Sequence, residues 1–207
     1  SNVTASTTYV AGSPTSGFSG ITVNGVDITS QISSGKVSAL VNLRDQTLPA
    51  AQSQLDELAQ QLTASVNAVS NQGTSVPPPA SLTGTATVSN ATPLSATGTV
   101  RIAVADKSGN LVSYQDLNLA SYTTVGALAT AINGISGVSA SVDANGHLTI
   151  SASGSGNGIA INEMTSSVGS SAEGFSDYFG LNDLITGTSA SNIAVRSDRS
   201  EERRVGK

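Results

Sequence analysis

An apolar residue returns at every seventh position through an otherwise polar stretch: Val41, Leu48, Leu55, Leu62 and Val69. That spacing predicts a long amphipathic helix built to lie against other helices. Leu58, Ala59 and Val66 widen the seam into a stripe, while Asp45, Gln52, Asp56, Glu57, Gln60 and Gln61 keep the rest of the surface polar. The candidate helix-packing interface is therefore Val41, Leu48, Leu55, Leu58, Leu62, Val66 and Val69. As one continuous helix the ladder would span about 42 Å at 1.5 Å per residue. No other part of the chain repeats the heptad, and an isolated helix of this length is marginal in water. Two arrangements follow: the stripe is covered by helices from elsewhere, or it lies on a sheet of its own domain.

The pattern around the ladder divides the chain. Residues 1–17 are Ser, Thr, Gly and Pro without periodicity, and read as a linker or a truncated remnant. Residues 18–75 hold a short hairpin from Phe18 to Ile32 about Asn24-Gly25, a turn pair that favours hairpins, and then the helical segment from about Lys36 to Asn71. Ser33 or Ser34 can cap its start, Pro49 should interrupt or kink it, and Asn71-Gln72-Gly73 is a stop signal. Residues 76–81, with three consecutive prolines, are a stiff linker. In residues 82–187 the period falls from seven to two, with hairpins predicted from Thr99 to Leu119 about Asp106–Asn110 and from Val138 to Ser153 about Asp143–Gly146. Between them a short helix carries Val125, Leu128, Ala129 and Ile132 on one face. Phe175, Tyr178, Phe179 and Leu181 then form a local hydrophobic plug, and residues 188–198 are a return segment. The fold class expected is α+β: a long helical segment of a bundle and a small antiparallel β-rich domain with one covering helix.

Residues 199–207, RSEERRVGK, break with everything before them and hold four of the nine basic residues. The string resembles one reading frame of a common sequencing-library adapter, so a non-native tail on a truncated internal piece is expected; its recurrence in genomic template would refute that. Without it the balance is five basic residues against twelve acidic.

Composition narrows the function. Only 11% of residues are charged and 3% aromatic, with a net charge of −5 and no Trp. Phosphate binding needs clustered Lys and Arg, so nucleic acid is not an expected partner. No apolar run approaches the ~20 residues of a membrane span, and no basic-apolar signal segment opens the chain. With no cysteine there is neither a disulfide framework nor a thiolate site. His147 is the only histidine and sits where a turn becomes a strand, so a histidine-rich zinc site cannot be assembled. No G-x-S-x-G elbow is present, and Gly154–Gly158 lacks the Lys-Ser/Thr of a phosphate loop. No catalytic, cofactor-binding or metal-binding residue is expected, and no enzyme.

Three ordered stretches carry a family resemblance. Gly25 to Gly73, with Gly35, Leu40, Arg44-Asp45, Leu48-Pro49, Leu55-Asp56, Leu58-Ala59, Leu62 and Val66-Asn67, resembles the helical region of the hook-associated protein 1 family, the hook–filament junction proteins of bacterial flagella. Thr123 to Ser153 is similar to the flagellin/hook IN motif, and Gly174 to Gly187 resembles a segment that follows it in that family. The resemblance implies a structural subunit exported to the extracellular flagellum without a cleaved signal peptide. It also implies self-assembly with other axial proteins, the hook protein and a second junction protein among them, an export chaperone, and no active site. Family members carry long terminal helices that this sequence does not include. The IN motif is shared among axial proteins, so a filament, hook or cap subunit is a second reading. A secreted adhesin or glycan-binding module, suggested by the Ser/Thr/Gly-rich strands and acidic charge, is a third.

Overall fold

A computed structural model describes residues 20–197, so the expected linker at 1–17, the start of the hairpin at Phe18 and the expected tail at 199–207 lie outside the described residues. In chain order the elements are β1 (Thr22–Val23), β2 (Val26–Asp27), α1 (Gly35–Asn42), a π-helical turn (Leu43–Thr47) and α2 (Leu48–Ser70). There follow β3 (Ser81–Thr87), β4 (Ala96–Thr97), β5 (Thr99–Asp106), β6 (Leu111–Asn118), α3 (Val125–Asn133), β7 (Val138–Val142) and β8 (His147–Ala152). The last that concern function are β9 (Asn157–Asn162), β10 (Ser167–Val168) and α4 (Phe175–Phe179). The fold is α+β. Its contacts divide into two compact units: the described residues through Thr63 with Gly187–Ala194, and Ala64–Thr186 with the described residues from Val195 to Ser197.

In the first unit, β1 and β2 pair antiparallel about Asn24 (φ 52°) and Gly25 (φ 80°). Two successive positive φ angles are what a two-residue primed turn demands, which is why Asn-Gly stands there. Asp27 then takes over the local polar groups: its carboxylate accepts from the Thr29 amide at 2.8 Å and the Thr29 hydroxyl at 2.6 Å. Ser34 occupies the N-cap position with extended backbone, yet its side chain makes no capping bond.

The helical run continues through Pro49, and a five-residue π turn precedes it. Within a regular helix the proline ring would strike the carbonyl four residues back, that of Asp45. The wider turn relieves this, closing with the Leu48 amide donating to the Leu43 carbonyl, one residue further back than in an α-helix. Further on, the amide of Ala190 donates to Asp56 and the Gln60 side chain to the Thr188 carbonyl, both at 2.9 Å.

The second unit is built on two three-stranded antiparallel sheets, in the orders β3-β8-β7 and β6-β5-β9. Both predicted hairpins are present, and β3 and β9 each complete a sheet. Those two strands are masked in the sequence: β3 reads SLTGTAT, with Leu82 its only large apolar residue, and β9 opens on Asn157-Gly158. Gly158 is required because a Cβ there would overlap the Pro78 carbonyl. The Pro-rich segment runs along β9, its Pro79 carbonyl accepting from the Ile159 amide at 2.8 Å.

Helix α3 starts at Thr124, whose hydroxyl accepts from the Ala127 amide at 3.2 Å. Val125, Leu128, Ala129 and Ile132, the four residues of its predicted face, are all buried. Asn133 at its end clasps Ala140 of β7 through both side-chain atoms at 2.7 Å. Fully buried Leu82, Ile102, Leu119, Leu148, Ile150 and Ile159 form the centre of the core. The aromatic plug closes it: Phe175 and Phe179 meet edge-to-face at 5.2 Å and, with Leu181, are almost inaccessible to solvent. Glu163 holds the start of this last helix, its carboxylate accepting from the Phe175 and Ser176 amides.

Candidate assembly interface

Helix α2 presents two faces of opposite character. At 100° per residue, Leu48, Leu55, Leu58, Leu62 and Val69 fall on one side, and Asp56, Gln60, Thr63, Asn67 and Asn71 about a third of a turn away. The apolar side is the open one: those five residues are between 52% and 71% exposed. Ala59, at the border of the two faces, is buried, and Val66 beside it is half-buried. Val41, the first rung of the ladder, is half-buried and lines a shallow hollow with Ile32, Asn42 and Asp45.

This inverts the usual order of a helix on a globular unit, where the leucines face in. The alternative in which the stripe rests on a sheet of its own domain is not what the structure has. Soluble monomers rarely leave a continuous apolar stripe of this kind bare.

What the last turns of α2 do bind, they bind through polar atoms. The Asn67 side chain donates to the Ile185 carbonyl at 2.8 Å and accepts from the Leu184 and Ile185 amides at 3.0 and 2.9 Å. A strand-like backbone is thereby read by one asparagine side chain. Ser70 donates to the Asn182 carbonyl at 2.6 Å. Asn71, buried, donates to Asp183 at 2.7 Å and accepts from the Ser176 hydroxyl and the Asn182 amide at 2.7 and 2.9 Å. Thr85 of β3 completes the set by donating to the other oxygen of Asp183 at 2.5 Å. The sequence reading missed this clasp. Its signal was Asn67 and Asn71 four apart, two poor helix formers on one face.

The electrostatics of the clasp are acidic. Burial, reinforced by the charge of Asp183, pushes the Asp177 carboxyl above its ordinary range, against a smaller opposing effect of its hydrogen bond from Asn71. At the hairpin turns the reverse holds. Asp106 is held low by hydrogen bonds led by the one from the Asn110 side chain, and Asp143 by bonds led by the one from the His147 amide.

Nδ1 of His147 lies 3.7 Å from Asp143, at the turn end of β8. Among the described residues no group of three or more His, Asp or Glu side chains is placed to hold a metal ion. No described helix is long and apolar enough to cross a membrane.

Comparison with known families agrees with this division of labour. Residues 1–83 match the flagellar hook-associated protein FlgK helical domain, which takes in the open stripe and the helix bearing it. Residues 99–154 match the flagellin hook IN motif, from β5 through β8, beginning further upstream than the stretch whose sequence resembles it. Comparison with curated proteins gives no match. With a match to a hook-associated helical domain followed by a match to the IN motif, the chain carries the modules of a structural protein of the bacterial flagellum.

Proposed function

We propose that this chain serves at the hook–filament junction, as an adapter subunit whose open helical face packs into the axial helical bundle. The observation that carries this reading is the exposure of Leu48, Leu55, Leu58 and Leu62 on a helix whose polar face is already engaged through Asp56 and Gln60. A stripe with heptad spacing fits the face of another helix, and burying it excludes water without any chemical step. Of the expected packing residues Val41, Leu48, Leu55, Leu58, Leu62, Val66 and Val69, the open ones, Leu48, Leu55, Leu58, Leu62 and Val69, make the packing interface, and its partners are neighbouring copies, the hook protein and a second junction protein. The subunit reaches the extracellular flagellum without a cleaved signal peptide, and an export chaperone is among its partners. It carries no catalytic activity.

The IN motif occurs in more than one kind of axial protein, which favours a filament, hook or cap subunit as the second reading. Labelling the full-length protein on intact flagella separates the two. A single band at the hook–filament boundary, with filaments shed when the gene is removed, is the expected result. Label along the filament body, along the hook or at the distal tip would replace the junction by the corresponding axial role.

A further inference from the structure

The ladder was counted at seven-residue intervals, but the π turn places one extra residue between its first two rungs. One inserted residue is worth about 100° of helix rotation. Counting back from Leu48, the position in phase with the stripe is then eight residues away, at Leu40, with Leu43 beside it. Solvent exposure agrees: Leu40 is 55% and Leu43 44% exposed, whereas Val41 is half-buried against the hollow that Ile32 and Asp45 line. The cause is local, because Pro49 cannot follow a regular turn without striking the Asp45 carbonyl.

We propose that the π turn Leu43–Thr47 sets the phase of the packing face, so that the stripe meeting a partner reads Leu40, Leu43, Leu48, Leu55, Leu58 and Leu62, with Val41 turned off it. This rests on the helix-packing reading above and names which residues of α1 take part. The occupant is an amphipathic helix with its own Leu/Val face. Six half-exposed leucines leave on the order of 400–600 Å² of apolar surface in one line, at the upper end of what monomers expose. A line one side chain wide fits a helix and not a flat sheet. The turn is thus a register device: it lets one bundle partner run past Pro49 without losing the seam.

Cysteine labelling tests this, helped by the absence of cysteine from the chain. Single variants L40C, V41C, L43C, L55C and L62C are made in the full-length protein, and thiol reaction rates are compared between the free subunit and intact flagella. Expected is a fall of ~10-fold or more on assembly at 40, 43, 55 and 62, with less than ~2-fold change at 41. Protection of 41 with none at 40 and 43 overturns the phase while leaving the packing reading in place. Absence of protection at 55 and 62 overturns the packing reading and the phase together.

Discussion

Replacing Asn71 by Ala tests whether the clasp at the end of α2 is a structural element or a surface decoration. The side chain is 2% exposed and uses both ends. Its amide donates to Asp183 at 2.7 Å and to the Asn67 carbonyl at 2.9 Å; its oxygen accepts from Ser176 and from the Asn182 amide. Truncation strips a donor from a buried carboxylate and the acceptor from a buried amide, each worth about 1–3 kcal/mol when left unmet. Ser176 retains the bond from the Asn182 side chain and Asp183 that from Thr85, which limits the loss. The expected cost is about 3–4 kcal/mol, or roughly 10–15 °C in Tm for a unit of this size. Urea unfolding followed by far-UV circular dichroism measures it, with an unchanged m-value as the sign that one cooperative unit is still unfolding. A cost below about 1 kcal/mol would refute the clasp as a buried, satisfied network.

Other perturbations follow from the same geometry. Asp177 has a raised folded pKa, so the folded state holds its proton more tightly than the unfolded chain and stability falls as pH rises from the ordinary carboxylate range through the folded value. Asp177→Asn should flatten that slope and raise the neutral-pH midpoint in a pH series of urea melts. Asp106 is depressed, so the stability it contributes is present above the ordinary carboxylate pKa and fades as pH falls through its folded value; Asp106→Asn should remove that acid-side loss, read in the same series. A Cβ at Gly84 would overlap the Phe179 carbonyl, so Gly84→Ala should destabilise the β-rich unit by about 1–3 kcal/mol in thermal melts. Leu58→Ala, by contrast, alters an exposed side chain, and its midpoint should stay within about 0.5 kcal/mol of the parent.

Legibility in the sequence followed the strength of local signals. Helix α3 was readable to the residue because a capping threonine and a four-residue apolar face coincide. The hairpins were readable because Asn24-Gly25 and the Asp143–Gly146 turn have few other conformations open to them. The aromatic plug showed itself by composition alone. Strand β3 was hidden because its polar threonines are stabilised by partners across the sheet, Thr83 against Thr149 and Ser81 against Ser151, and not by any pattern of its own. The open stripe was legible as a face, but its phase before Leu48 was not: a π turn leaves no trace in a seven-residue count except the proline that causes it. The asparagine clasp was illegible because its partners lie more than a hundred residues away.

The central claim is that the exposed leucine stripe exists to be covered in the flagellum. Leu55→Asp with Leu62→Asp in the full-length protein tests it most directly, because both positions are open in the folded chain and tolerate charge there. The account predicts a protein with an unchanged unfolding midpoint, exported in normal amount, on cells whose hooks carry no retained filaments. Filaments retained at normal number and length with both aspartates in place would contradict it.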